Sequence, residues 1–134
     1  MKPQTQALQA RTRSFFVAVI KLCKSLVDTP ATRAICDQLL DSAGSTDSNY
    51  RAACKARSKK EFIAKVGVAA EEADESLGWL MALRDGDLVK PEVATPLIDE
   101  ANELASIFVA SGKTAAENLA EEDRRQELRK RAPR

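Results

Sequence analysis

The chain contains no histidine. An imidazole shuttles the proton in Ser-His-Asp and Cys-His catalysis, so neither mechanism can be assembled from these residues. The Glu-x-x-His pairs that hold di-iron sites in helical bundles are excluded for the same reason. Aromatic residues are nearly missing too, with 4 Phe, 1 Tyr and 1 Trp. That is too few rings for a platform on which successive bases stack. Only 5 Gly and 5 Pro are present, which suits a few long elements better than many short strands joined by turns. No apolar run approaches membrane-spanning length. The longest near the start, Phe15 to Ile20, is ended by Lys21, and it is also too short for the core of a secretory leader. The expectation is a cytoplasmic protein with no membrane partner. Neither sign of charge prevails, since 21 Lys and Arg stand against 20 Asp and Glu. A net charge of +1 gives no global field to draw the chain onto a polyanion.

The three cysteines are Cys23, Cys36 and Cys54. Their number is odd and their spacing fits no zinc pattern, so they read as small buried apolar residues in a reducing compartment. Cys54 stands beside Lys55 and Arg57, a setting that lowers a thiol pKa where the thiol is exposed. No metal and no cofactor are expected.

What the sequence does hold is alanine and a repeating apolar step. A chain of 134 residues is one domain and buries roughly two-thirds of its unfolded surface without staples. Leu8, Thr12, Phe15, Val19, Leu22 and Leu26 step by four and three. Ile35, Leu39, Ser42, Thr46, Asn49 and Ala53 repeat the step, as do Phe62, Val66, Ala69, Ala73, Ser76 and Leu80, and again Leu97, Ala101, Leu104, Phe108, Ser111 and Ala115. That step keeps one face of each helix turned to a neighbour and implies a left-handed supercoil. The breaks between stripes agree with it. Asp28-Thr29-Pro30 separates the first pair, Arg57-Ser58 with Glu61 forms a capping box, Gly86 suits a left-handed helix end, and Pro91 opens the last helix.

The pattern predicts helices over about 5–27, 31–56, 59–85 and 91–118, followed by a charged, frayed or disordered tail over 121–134. Short connections then predict an all-α, antiparallel up-down-up-down four-helix bundle, with the domain spanning residues 1–120. Apolar residues off the stripes, including Phe16, Tyr50, Ile63 and Trp79, exceed what one small core needs and predict self-association.

Four groups of residues carry the candidate chemistry. Arg51, Lys55, Arg57, Lys59, Lys60 and Lys65 crowd the link between the second and third helices, with Glu61 alone opposing them in that span. They form either a phosphate-contacting surface or a solvated end of the bundle. Ser42, Thr46 and Asn49 are polar members of an otherwise apolar stripe. Buried polar groups must be paired, so these three are expected to fix helix register; the alternative is that Asn49, Tyr50 and Arg51 help build a contact between subunits. Glu71, Glu72, Asp74 and Glu75 crowd the third helix, with Glu72 nearest the seam, and read as a solvated or interface face. Ser111-Gly112-Lys113-Thr114 imitates the end of a phosphate-binding loop. That motif needs a glycine where Ile107 stands and a strand before it, so a helix interrupted by one glycine is expected instead.

The strings Ala43-Gly-Ser-Thr-Asp-Ser-Asn-Tyr-Arg51, Ala56-Arg-Ser-Lys-Lys-Glu-Phe-Ile-Ala-Lys65 and Glu72-Ala-Asp-Glu-Ser-Leu-Gly-Trp-Leu80 together resemble the four-helix-bundle family named after the protein encoded in intervening sequences of large-subunit ribosomal RNA. The resemblance covers about residues 12 to 115 and is densest from Gln38 to Leu80. It implies an up-and-down bundle that assembles into a homopentameric ring and has no enzymatic activity. Some members are strongly basic accessory proteins of diversity-generating retroelements that bind nucleic acid and a reverse transcriptase. This chain departs from the pattern at Asp41, where arginine is common, at Gly78, where tyrosine is common, and at Asp47, which adds a negative charge. Two functions follow as expectations. One is an accessory factor associated with RNA or DNA. The other is an oligomeric scaffold that binds a protein partner and has no nucleic-acid role.

Overall fold

A computed structural model describes residues 1–133. It contains four helices, α1 (Pro3–Ser25), α2 (Pro30–Cys54), α3 (Lys59–Asp85) and α4 (Pro91–Arg131). Among the described residues there is no strand. The four elements expected from the apolar stripes are present.

Each boundary has a local cause. Pro3, Pro30 and Pro91 stand at the helix starts, where the missing N–H would have had no intrahelical partner. Thr29 caps α2, its hydroxyl oxygen accepting from the Thr32 amide at 3.1 Å. Ser58 caps α3 in the same way, accepting from the Glu61 amide at 3.1 Å. The Glu61 carboxylate reaches back as the sequence predicts, but to the Arg57 amide at 3.0 Å instead of that of Ser58. The end of α3 differs from expectation as well. Gly86 has φ −84°, and the left-handed residue is Asp87 with φ 61°. Aspartate enters that region more readily than most residues because its short polar side chain bonds locally.

The other difference is in α4. The sequence predicts a helix ending near 118 and a frayed or disordered tail, whereas α4 continues to Arg131. The apolar step fades after Ala115, but the charges keep helical spacing. Arg125 pairs with Glu121 at 2.7 Å and Arg131 approaches Glu127 at 4.0 Å, both four residues apart. Arg134, the last residue of the expected tail, lies outside the described residues.

Helix α3 neighbours α2 and α4, and α1 neighbours α2 and, more sparsely, α4. Phe15, Val19, Leu39, Val66, Leu80, Leu83, Leu104 and Phe108 fill the core. Ala43, Ala69, Ala73 and Ala101 are wholly shielded, and their small side chains let the helices approach closely. Tyr50 of α2 and Phe108 of α4 stack across the centre, ring centroids 5.1 Å apart. Where α3 meets α4, a Cβ added at Gly112 would lie 3.4 Å from the Val66 Cγ1 atom. Residues 111–114 are helical, so the loop-like string at Ser111 is part of α4.

Candidate functional site

Of the polar members of the second stripe, two are shielded from solvent and the third is half-buried. Ser42 and Thr46 are buried. The Ser42 hydroxyl meets that of Ser76 on α3 at 2.8 Å and also approaches the Leu39 carbonyl at 3.1 Å. Thr46 donates to the Ser42 carbonyl at 2.8 Å. Asn49 is half-buried and its amide donates to the Ser45 carbonyl, 2.8 Å away on its own helix. Only Ser42 of the three therefore bonds across helices, through Ser76.

The stronger polar link lies one residue off that stripe. Asp47 is 3% exposed. Its carboxylate accepts from the Thr12 hydroxyl at 3.2 Å and from the Arg13 Nε–H at 2.8 Å, tying α2 to α1. In the sequence Asp47 read only as an added negative charge. The signal that finds it is the pairing of a carboxylate beside the seam with Thr12 on the facing stripe. A second link joins α1 to α4. Arg11 donates through Nε to Glu100 at 3.2 Å and reaches Glu103 at 3.2 Å. The bond to Glu100, and then the charge of both acids, holds the guanidinium further toward its charged form.

The basic set gathers at one end of the molecule. Arg51 lies in the last turn of α2, Lys55 is its C-cap, Arg57 lies in the link, and Lys59 and Lys60 open α3. All five are exposed. Lys65 is set apart, about 9 Å further along α3 by helical rise and half-buried. Lys59 is ion-paired with Glu122 of α4, so Glu61 is not the only acid facing this set. Among the described residues no acid pairs with Arg51, Lys55, Arg57, Lys60 or Lys65.

Beside this end, between the start of α1 and α4, opens a groove of about 850 Å³. Leu8, Tyr50, Phe62 and Ile107 give it an apolar floor, and Arg11, Arg57 and Lys59 line it as well. Burial, and then the neighbouring Cys54 thiol, push the Tyr50 hydroxyl above its ordinary pKa. It therefore stays a neutral phenol at physiological pH.

The acidic set of α3 behaves differently. Glu71, Asp74 and Glu75 are exposed and Glu72 is half-buried. Desolvation, then a hydrogen bond and charge repulsion from Glu75, then the charges of Asp41 and Glu71, raise the Glu72 pKa. No group of three or more His, Cys, Asp or Glu among the described residues is arranged to hold a metal ion. Cys36 is buried and Cys23 and Cys54 are half-buried. Burial, followed by the adjacent Cys36, pushes the Cys23 thiol up to about 12, which removes thiolate reactivity there. No helix among the described residues is long and apolar enough to cross a membrane.

Comparison with known proteins agrees with this architecture. A family model described as 23S rRNA-intervening sequence protein matches residues 5–110. A crystal structure from Bacteroides thetaiotaomicron, described as a protein with unknown function from the S23 ribosomal protein family, superposes with a TM-score of 0.75 at 26% identity. The match covers 81% of this chain and 97% of that one. Curated proteins gave no match.

Proposed function

The chain belongs to the 23S rRNA-intervening sequence protein family, and on that premise we propose that it is a non-catalytic, homo-oligomeric accessory protein associated with nucleic acid, RNA being the ligand to test first. The subunit is proposed as an antiparallel, left-handed, up-down-up-down bundle. Pairs such as Thr12 with Asp47, Ser42 with Ser76 and Lys59 with Glu122 support that course of the chain. A ring of five subunits is the assembly that the family resemblance implies. The location proposed is cytoplasmic.

One observation carries the nucleic-acid reading. Arg51, Lys55, Arg57 and Lys60 stand together, exposed and without an acidic partner among the described residues, at the α2–α3 link. Arg11, Arg13 and Arg33, by contrast, are each held by an acid. Unpaired cations at one end of a subunit displace counterions from phosphates, and a ring repeats that end. The competing reading is a protein-binding scaffold, which the apolar floor of the neighbouring groove favours.

A filter-binding titration of mixed-sequence RNA separates the two. Wild type is compared with a variant carrying Lys55→Glu, Arg57→Glu and Lys60→Glu. The accessory reading predicts binding at low salt that the triple change abolishes. Binding that survives the change, or no binding by wild type, gives the scaffold the better claim.

A further inference from the structure

Helix α4 outruns both the bundle and the family. The family match ends at residue 110 and α4 ends at Arg131. The crystal structure from Bacteroides is covered over 97% of its length by 81% of this chain, so what this chain has in excess is not part of that fold. The direction of the excess is fixed by two contacts. Val66 of α3 lies against Gly112, and Lys59, the first residue of α3, meets Glu122. Residues after Glu122 therefore pass beyond the start of α3 and project about 13 Å from the end that carries the basic link. From Ala120 to Arg131 every residue is exposed.

The charges on this arm are sorted by face. Residues three, four, seven and eight positions beyond Glu122 share its side of the helix, and they are Arg125, Gln126, Arg129 and Lys130. Of the acids, Glu122 lies within that set and is occupied by Lys59, while Glu121, which pairs with Arg125, and Asp123, next to Lys130 in angle, border it. The remaining acid, Glu127, falls to the back, where Arg124 and Arg131 also lie. Arg129 and Lys130 have no ion-pair partner among the described residues. Lys59 joins the inner face of the arm to the α2–α3 link, so the two basic surfaces meet at a corner.

We infer that this inner face, centred on Arg129 and Lys130, is a second wall of the nucleic-acid surface, and that its ligand is the phosphate backbone of the strand bound at Lys55, Arg57 and Lys60. The inference rests on the nucleic-acid reading of the link. Charge complementarity identifies the ligand: the face offers guanidinium and ammonium groups and one amide, with no apolar side chain for a protein partner to bury against. Leu128 is the exposed apolar residue of the arm, and it lies on the side away from the corner.

The test compares two full-length double variants of equal charge change. Arg129→Gln with Lys130→Gln alters the inner face, and Arg124→Gln with Arg131→Gln alters the back. Glutamine preserves helix propensity, and far-UV circular dichroism confirms that both remain folded. Binding of fluorescent single-stranded RNA is measured over a range of salt concentrations, beside a variant with Lys55, Arg57 and Lys60 changed to Gln. The inner-face pair is expected to lower the log–log salt slope by about 1.4, two phosphates at about 0.7 each, while the back pair leaves the slope unchanged. Equal loss from both pairs, or loss from neither, overturns the inference. If only the link variant loses binding, the arm inference fails and the link reading stands. If only the inner-face pair does, the link reading fails. If wild type does not bind, both fail.

Discussion

Asp47 shows how burial decides the worth of a single charge. Its carboxylate is shielded while its partner Arg13 is half open to solvent, with side-chain exposures of 4% and 54%. Removing one member therefore has unequal consequences. Arg13→Ala leaves a buried carboxylate supported only by Thr12, at a cost of about 2–3 kcal/mol. Asp47→Asn keeps an acceptor for Thr12 and frees an arginine that can turn to water, at about 1 kcal/mol. Urea denaturation of the two variants is expected to rank them in that order.

Glu72 supplies a pH signature. Its folded pKa lies above the ordinary 4.5 because burial and Glu75 oppose its charge. The folded state thus holds this proton more tightly than the unfolded chain does. Its contribution to stability falls as pH rises from the unfolded pKa through the folded one, and the penalty is complete above the folded pKa. Glu72→Gln is expected to raise the melting temperature at pH 7 and to leave it unchanged at pH 3, below both pKa values. A gain of equal size at both pH values contradicts the electrostatic account. Ser42 and Thr46 were legible in the sequence because they fall on a periodic stripe. Asp47 was not, because its burial depends on Arg13 of another helix, and no single stripe records that.

At the scale of elements, the apolar step located all four helices and most of their ends. Two features are not carried by that step. The left-handed position falls to Asp87 instead of Gly86, since glycine composition marks a turn but does not fix which residue takes the positive φ. The last part of α4 leaves no apolar period, because this segment carries its helical register in Glu–Arg pairs. The arm touches the bundle through the exposed Lys59–Glu122 pair, and such pairs contribute about 0–1 kcal/mol. Ending the chain after Asn118 is therefore expected to shift the unfolding free energy of the bundle by less than about 1 kcal/mol. Helical ellipticity should fall with the lost residues. A loss of several kcal/mol in the same denaturation experiment would show that the arm is part of the core.

For the whole molecule, surface composition bears on assembly. Of the four off-stripe apolar residues that pointed to self-association, Tyr50 is in the subunit's own core against Phe108. Phe16 packs on Gly44, where an added Cβ would lie 3.1 Å from its ring. Those two are satisfied within the subunit, and the sequence did not separate them from surface residues because a widened helix face and an interface look alike in one chain. Ile63 and Trp79, both half-buried, remain. Sedimentation equilibrium at tens of micromolar is expected to give five times the 14.6 kDa subunit. A monomer contradicts self-association, and a dimer contradicts only the ring.

The end of the molecule that bears Arg51, Lys55, Arg57 and Lys60 is where the account concentrates its functional claim. The most direct measurement is the salt dependence of single-stranded RNA binding by the wild-type chain. Four unpaired cations at about 0.7 each predict a log–log slope of about −3, steeper if the arm contributes. A flat slope, or no binding at low salt, contradicts the claim that this surface meets nucleic acid.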